Sequence, residues 1–129
     1  MEKNQIVGKR LLLVEDDHRL REMLKTALSI DAYTVVESNN GAEAFSLFTR
    51  SQFDLVMTDF ELPFMRGNEL AARIKQLAPR QPILMITGYG KRPGPDNPVD
   101  AVLNKPFDFD QLRTAVAKLL PEVGASFTA

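Results

Sequence analysis

The chain has 129 residues, the size of one ordinary domain with its own hydrophobic core. Its composition is 44% apolar and 26% charged with a formal net charge of −1, so overall charge favours neither nucleic acid nor an anionic membrane. With no cysteine and one histidine, the chain excludes disulfides, thiolate metal sites and histidine-rich metal sites. No apolar run approaches a membrane span, and we expect a cytoplasmic protein without direct nucleic-acid binding.

The first half of the chain contains two predicted strands, each followed by a predicted helix. The continuous apolar run at 11–14 predicts a buried strand, and it stops at three consecutive acids. From His18 onward, the sequence predicts an amphipathic helix, because apolar residues recur with helical spacing at Leu20, Met23, Leu24, Ala27 and Leu28. The β-branched run at 33–36 predicts a second strand, and Asn40 with Glu43 predicts a capping box that starts a second helix.

The second half continues the alternation with three more strands. The run at 55–57 is apolar on both faces, as a central strand of a covered parallel sheet is, and Asp59 follows it. After Gly67, an apolar stripe predicts a third helix that Pro79 ends. The stripe consists of Leu70, Ala71, Ile74, Leu77 and Ala78. The apolar run at 82–87 predicts a fourth strand, and a short fifth strand is expected from Ala101 to Leu103.

Two segments near the C-terminal end carry strong local signals. Three glycines and three prolines between 88 and 98 predict a loop, because a helix interior loses about 1 kcal/mol per Gly and about 3 kcal/mol per Pro. Asp108 and Gln111 predict a capping box for the last helix, with Phe107 and Leu112 at the two staple positions.

Strands that alternate with helices predict an α/β fold: a flavodoxin-like, doubly wound, five-stranded parallel sheet of order 2-1-3-4-5. The chain is expected to divide into a tail, one domain and a second tail, at 1–8, 9–120 and 121–129. In this strand order the topological switch point lies between the first and third strands. Fold logic alone therefore brings Glu15, Asp16 and Asp59 to one edge of the sheet.

Carboxylates gathered at a switch point predict a metal site. A pair about 4 Å apart repels by about 4 kcal/mol at an effective dielectric near 20, and a divalent cation removes that repulsion. Oxygen ligands without Cys or His favour a hard ion, Mg2+ before Ca2+. Each acid taken singly is more simply a solvated strand-end residue. Thr87 and Lys105 end the next two strands at the same edge, where a hydroxyl and an ammonium stabilise an anion such as a phosphoryl group.

These strand ends together resemble the receiver domain of two-component response regulators. The matching motifs follow in order: Leu12-Leu13-Val14-Glu15-Asp16-Asp17, Asp59 with Leu62-Pro63-Phe64-Met65-Arg66-Gly67 after it, Ile86-Thr87-Gly88, and Lys105-Pro106-Phe107. Each motif is weak alone, but their combination in this order is highly specific. The resemblance covers roughly Lys9 to Leu120.

The resemblance implies a phospho-acceptor signalling domain of a phosphorelay rather than an enzyme. Asp59 would take a phosphoryl group from a phosphohistidine on a sensor histidine kinase or a histidine phosphotransfer protein. The domain would assist its own phosphorylation and dephosphorylation, and phosphorylation would change its partner interactions. Thr87 would follow the phosphoryl group with its hydroxyl, and Lys105 would be the family's lysine.

The resemblance also implies a magnesium site. The four expected ligands are Glu15, Asp16, Asp59 and the backbone carbonyl of Glu61. Of these, Asp16 would contact Mg2+ directly and Glu15 mainly through water. Asp17 would then be a neighbour rather than a principal ligand.

Two features depart from the usual family pattern. Receivers usually carry a fourth helix after the strand that here ends at Thr87. In this chain that helix is predicted to be missing or much shortened. In this respect the chain is similar to the receivers of hybrid sensor kinases. The family often places an aromatic residue three positions before the lysine, where this chain has Val102. Both positions belong to the family's usual output face, so we expect a monomer rather than an output-face dimer.

Two other classes compete with the receiver. A haloacid-dehalogenase-type phosphatase also uses an Asp at a strand end, but it has a second Asp two residues later, where this chain has Glu61. The chain also lacks room for the cap of such an enzyme. A pseudo-receiver that only binds protein would not need the acids, Thr87 and Lys105 together.

Overall fold

The computed structural model describes residues 8–88 and 98–120. Within these ranges five strands and four helices alternate. The strands are β1 (Arg10–Val14), β2 (Thr34–Ser38), β3 (Leu55–Asp59), β4 (Ile83–Thr87) and β5 (Ala101–Asn104). The helices are α1 (His18–Ser29), α2 (Gly41–Arg50), α3 (Gly67–Leu77) and α4 (Phe109–Leu119). The predicted tails, and the loop predicted in place of a further helix between β4 and β5, lie largely outside the described residues and stay predictions.

The five strands form one parallel sheet in the order β2-β1-β3-β4-β5, which confirms the predicted fold. Leu11 of β1 lies opposite Leu55 of β3, and Val14 lies opposite Thr58. The carboxyl ends of these two strands therefore meet, and each leads directly into an acidic residue. The expected switch point lies there.

Consecutive apolar residues in β1 and β3 are buried because helices cover both faces of the sheet. Leu11 and Leu13 pack with α1 and α4 on one face, whereas Leu12 and Val14 pack with α2 and α3 on the other. This division follows from the two-residue period of a strand. A strand that is apolar at every position is stable only in such a covered sheet.

The capping predictions are confirmed at one helix and half confirmed at another. At α4, Asp108 accepts from the Gln111 backbone N–H at 2.7 Å and the Gln111 side chain accepts in return at 2.9 Å. At α2, Asn40 caps the helix by accepting from the Glu43 N–H at 2.7 Å. The Glu43 carboxylate instead accepts from the Ser38 hydroxyl at 2.8 Å, because that buried hydroxyl lies within its reach.

Helical spacing also assigned two residues to buried stripes that the structure leaves exposed. Met23 of α1 is 54% exposed and Leu77, the last residue of α3, is 59% exposed. Both lie on the edge or end of a stripe, beyond the surface that the sheet covers. Among the described residues, no helix combines the length and apolar character needed to cross a membrane.

Candidate functional site

The candidate site lies where the carboxyl ends of β1, β3, β4 and β5 meet. Asp59 ends β3 and is 4% exposed, and the fully buried Thr87 ends β4 beside it. The parallel ladders continue past both residues. The Phe60 N–H donates to the Ile86 carbonyl at 2.7 Å, and the Lys105 N–H donates to the Thr87 carbonyl at 2.8 Å. Backbone hydrogen bonds therefore fix the start of the loops that follow β3 and β5.

Three of the predicted acids come together at this edge. One carboxylate oxygen from each of Glu15, Asp16 and Asp59 lies within 4.8 Å of the others. Glu15 is buried, whereas Asp16 is exposed, so the cluster opens to solvent on one side. Asp17 stays outside the cluster and caps α1, accepting from the Arg19 N–H at 2.9 Å.

Two buried oxygen atoms of the cluster, Glu15 Oε1 and Asp59 Oδ1, have no hydrogen-bond partner. Burying such an atom without a partner is unfavourable, by about 1–3 kcal/mol or more when it carries charge. A hard divalent cation would supply the missing partner for both, and an all-oxygen donor set is the one that Mg2+ prefers. The residues present therefore fit a magnesium site.

Lys105 is the cation that the described part of the chain places at the site. Its Nζ atom lies 3.5 Å from Asp59 Oδ1, which is close enough for an ion pair but long for a hydrogen bond. The side chain is 32% exposed, so the ammonium keeps part of its hydration. The contact connects the end of β5 with the end of β3 and places positive charge next to the buried Asp59 carboxylate.

Burial sets the protonation of the two inner acids. Desolvation, with a smaller contribution from the charge of Asp59, raises the pKa of Glu15 to about 7. Desolvation also raises the pKa of Asp59, while the Lys105 ammonium opposes that rise. The site without a cation therefore tends to hold a proton near neutral pH, which a bound cation would displace.

The loop after Asp59 is held tightly against the site. The Gly67 N–H donates to the Phe60 carbonyl at 3.0 Å, and Leu62 is buried among core residues of α2 and α3. A Cβ atom added to Gly67 would lie 2.2 Å from the Asp59 carbonyl oxygen. Only a residue without a side chain lets α3 start this close to the end of β3.

This contact predicts that Gly67→Ala destabilises the protein, although alanine is the better helix former. The backbone of the loop or of Asp59 must move, and we expect a loss of about 1–3 kcal/mol in the free energy of unfolding, as for overpacked sites. Urea unfolding measures it. Gly88→Ala is the matched control, because its added Cβ meets nothing within 4 Å and its cost should be below about 0.5 kcal/mol. Equal stability of Gly67→Ala and the wild type would contradict the close approach.

Sequence reasoning missed one residue beside the acids. Arg21 of α1 donates to the Glu15 carbonyl oxygen at 2.8 Å and to Glu37 of β2 at 3.2 Å. The guanidinium thus holds the end of β1 from outside the cluster. In the sequence, Arg21 lies beside the apolar residues of α1, where a long basic side chain is usually solvated. The sequence therefore did not predict its contacts with Glu15 and Glu37.

The last predicted ligand is Glu61, through its backbone carbonyl. Its side chain is exposed and lies 3.7 Å from the Arg66 guanidinium. Its use in metal binding stays a prediction.

The comparisons with known proteins agree with this geometry. The family model described as the response regulator receiver domain matches residues 11–117. The chain is 40% identical to the response regulator receiver protein CpdR of Brucella abortus over 116 residues, covering 87% of this chain and 97% of that protein. It is 34% identical to the transcriptional regulatory protein GlrR of Escherichia coli, where 87% of this chain matches only 26% of the longer relative.

Solved structures give the same result. The response regulator protein TrrA of Thermotoga maritima, in complex with Mg2+ and BeF, superposes with a TM-score of 0.82 at 34% identity, covering 87% of this chain and 99% of that chain. TrrA in complex with the histidine kinase ThkA superposes with a TM-score of 0.80 at 34% identity, covering 88% of this chain and 99% of that chain.

Proposed function

Because the chain belongs to the response regulator receiver domain family, we propose that Asp59 is its phospho-acceptor in a two-component phosphorelay. The observation that carries this proposal is the position of Asp59. It ends the central strand within 4.8 Å of two other carboxylates and forms an ion pair with Lys105, and no other carboxylate among the described residues has this combination. The same position is where open α/β sheets bind ligands.

The proposed step is the transfer of a phosphoryl group from a histidine to a carboxylate. An Asp59 oxygen forms a bond to phosphorus while the N–P bond of the phosphohistidine breaks, and the imidazole leaves with the bonding electron pair. The product is an acyl phosphate on Asp59. Lys105 stabilises the charge on the transferred oxygens, and the Thr87 hydroxyl donates to one of them afterwards. The same groups assist the later hydrolysis.

The acids of the site would hold Mg2+. The donors are the carboxylates of Glu15, Asp16 and Asp59 with the backbone carbonyl of Glu61, and Asp16 is the one exposed to incoming solvent. When bound, the ion neutralises phosphoryl charge and orients the oxygens. The two buried carboxylate oxygens that lack a hydrogen bond support this assignment.

The proposed donor is a sensor histidine kinase or a histidine phosphotransfer protein. The complex of TrrA with the kinase ThkA supports a kinase partner, because TrrA shares this fold at 34% identity. We further propose that the domain acts in the cytoplasm as a monomer and does not bind nucleic acid itself. A net charge of −1 supports the last point.

Labelling with phosphoramidate, a small phosphoryl donor, tests the function directly. Mg2+-dependent formation of an acid-stable, base-labile acyl phosphate on the purified protein is the expected result. Turnover of p-nitrophenyl phosphate without a stable adduct would identify a phosphatase instead. Neither labelling nor turnover would identify a protein-binding pseudo-receiver.

Lys105→Met is expected to slow phosphoramidate labelling by about 100-fold, the effect of removing one preorganised charge-stabilising group. The fold should survive, since the Lys105 side chain is partly exposed and methionine keeps the apolar stem. Labelling rates at saturating Mg2+ measure the effect. Lys25→Met is the matched control, because Lys25 also forms an ion pair with an acid, Glu37 at 2.9 Å, but outside the site. Equal rates for the Lys105 variant and the wild type would contradict the role.

A further inference from the structure

The loop that follows Asp59 exposes an aromatic side chain completely. Phe64 is 100% exposed, more than any other large apolar residue of the described chain. The residues around it are not loose: Leu62 is buried, and Met65 packs against the core cluster of α2 and α3. The ring is therefore presented on a fixed support.

The backbone at Phe64 is in an unfavourable conformation. Its φ angle is 69°, in the left-handed region that bulky residues avoid. The Met65 N–H donates to the Pro63 carbonyl at 2.7 Å across it, which makes Phe64 the centre of a classic γ-turn, a rare and strained form. Because the fully exposed ring buries no surface, the fold gains nothing from a phenylalanine here. Glycine would fit the turn without strain.

The position of the turn identifies what would cover the ring. A Cβ atom added to Gly67 would overlap the Asp59 carbonyl oxygen, so Gly67 lies next to Asp59. Phe64 is three residues from Gly67, and the chain spans at most about 3.5 Å per residue, so the Phe64 Cα lies within about 15 Å of Asp59. A standard protein interface covers about 800 Å² per partner, a patch of about 16 Å radius. Any protein that brings a phosphohistidine to Asp59 therefore reaches this loop.

We propose that Phe64 is a docking anchor for the protein that donates the phosphoryl group to Asp59. The inference rests on the proposed function of Asp59. The tip of the loop consists of Pro63 and Phe64, and it is apolar and exposed. At the base of the loop, the opposite charges of Glu61 and Arg66 lie 3.7 Å apart and compensate each other. The partner surface that fits it is an apolar pocket beside the phosphohistidine. A rigid aromatic binds such a pocket with little loss of entropy.

Phosphotransfer kinetics test the proposal. Each histidine kinase of the source organism is autophosphorylated with radiolabelled ATP and mixed with this chain, directly or after it has phosphorylated a histidine phosphotransfer protein, and the fastest donor is used for kcat and KM. Phe64→Ala should raise KM for that donor at least tenfold with little change in kcat. Phosphoramidate labelling of the variant should stay at the wild-type rate, since a small donor needs no docking surface. Phe64→Tyr should restore KM to within about threefold, because tyrosine keeps the ring.

Leu77→Ala is the matched control. Leu77 is also a largely exposed apolar residue, but it ends α3 at the opposite edge of the sheet, near Gly8 and Arg10. Its KM should equal that of the wild type. Unchanged urea unfolding of Phe64→Ala shows that the variant folds.

Several outcomes would overturn the proposal. An unchanged KM for Phe64→Ala would show that Phe64 is not a docking anchor. If phosphoramidate labelling of Phe64→Ala slows as much as transfer from the protein donor does, Phe64 supports the phosphorylation site instead. Transfer from no kinase and no histidine phosphotransfer protein, with phosphoramidate labelling intact, excludes a phosphoryl donor as the partner that covers the ring. A wild-type dimer in light scattering that Phe64→Ala abolishes assigns the ring to a second copy of the chain. Failure of phosphoramidate to label the wild type would overturn the function of Asp59 itself, which separates the two failures.

Discussion

Replacing Asp59 with asparagine is expected to abolish phosphoramidate labelling completely. The amide of asparagine offers no anionic oxygen to attack phosphorus, and no other described carboxylate combines burial with a lysine contact and two neighbouring acids. Removing one buried charge also relieves repulsion, so the metal-free variant should be at least as stable as the wild type. Labelling stoichiometry by intact mass, with thermal melts in EDTA, measures both effects.

Asp17→Asn is the matched control for this variant. Asp17 lies in the same acidic run but caps α1, and asparagine caps helices as well as aspartate does. Its labelling should stay at full stoichiometry. Full labelling of Asp59→Asn under the same conditions would show that a different residue accepts the phosphoryl group.

The position of the site followed from the sequence because topology leaves few alternatives. Four strands that end in Glu15, Asp59, Thr87 and Asn104-Lys105 must meet at one edge when the sheet is parallel. A pattern of apolar runs fixes that arrangement without any knowledge of side-chain contacts. The ion pair between Lys105 and Asp59 is a consequence of it, since neighbouring strand ends leave a lysine little distance to span.

The burial of individual side chains could not be predicted from the sequence. Glu15 and Asp16 are adjacent, yet Glu15 is 1% exposed and Asp16 is exposed. The Glu15 N–H still donates to the Ser38 carbonyl at 3.0 Å and so continues the β1–β2 pairing, whereas Asp16 lies in the loop beyond it. Met23 and Leu77 have the spacing of core residues but lie beyond the covered surface. Periodicity identifies a face, whereas coverage depends on where the neighbouring elements end.

Local conflicts between residue type and backbone were also invisible. Nothing in the run around Phe64 predicts a γ-turn centred on a phenylalanine, since propensity favours glycine or asparagine at positive φ. Likewise, Glu43 had the right spacing for a capping box, and only the buried Ser38 hydroxyl explains its different partner. Such exceptions are decided by tertiary contacts, and near a functional site they are where binding roles are found.

The buried Glu15 makes the stability of the metal-free protein depend on pH in an unusual direction. An acid whose pKa rises from 4.5 to about 7 on folding keeps its proton in the folded state where the unfolded state has lost it. The folded state is therefore destabilised as pH increases through this window, by about 3 kcal/mol in total. Ion pairs lower the pKa values of Asp31 and Glu37. Their contributions to stability are therefore lost only as the pH falls below the window in which Glu15 titrates.

We therefore expect the free energy of unfolding in EDTA to fall by about 3 kcal/mol between pH 4.5 and pH 8, and Glu15→Gln to remove most of that fall. Glutamine keeps the oxygen that accepts from the Asp17 N–H at 3.0 Å but never ionises. The variant should come close to the wild type near pH 4.5 and exceed its stability at pH 8, while it binds Mg2+ more weakly. Urea unfolding at a series of pH values measures this. A wild-type profile that is flat, or a slope that persists unchanged in Glu15→Gln, would show that the proton of the site is not held by Glu15.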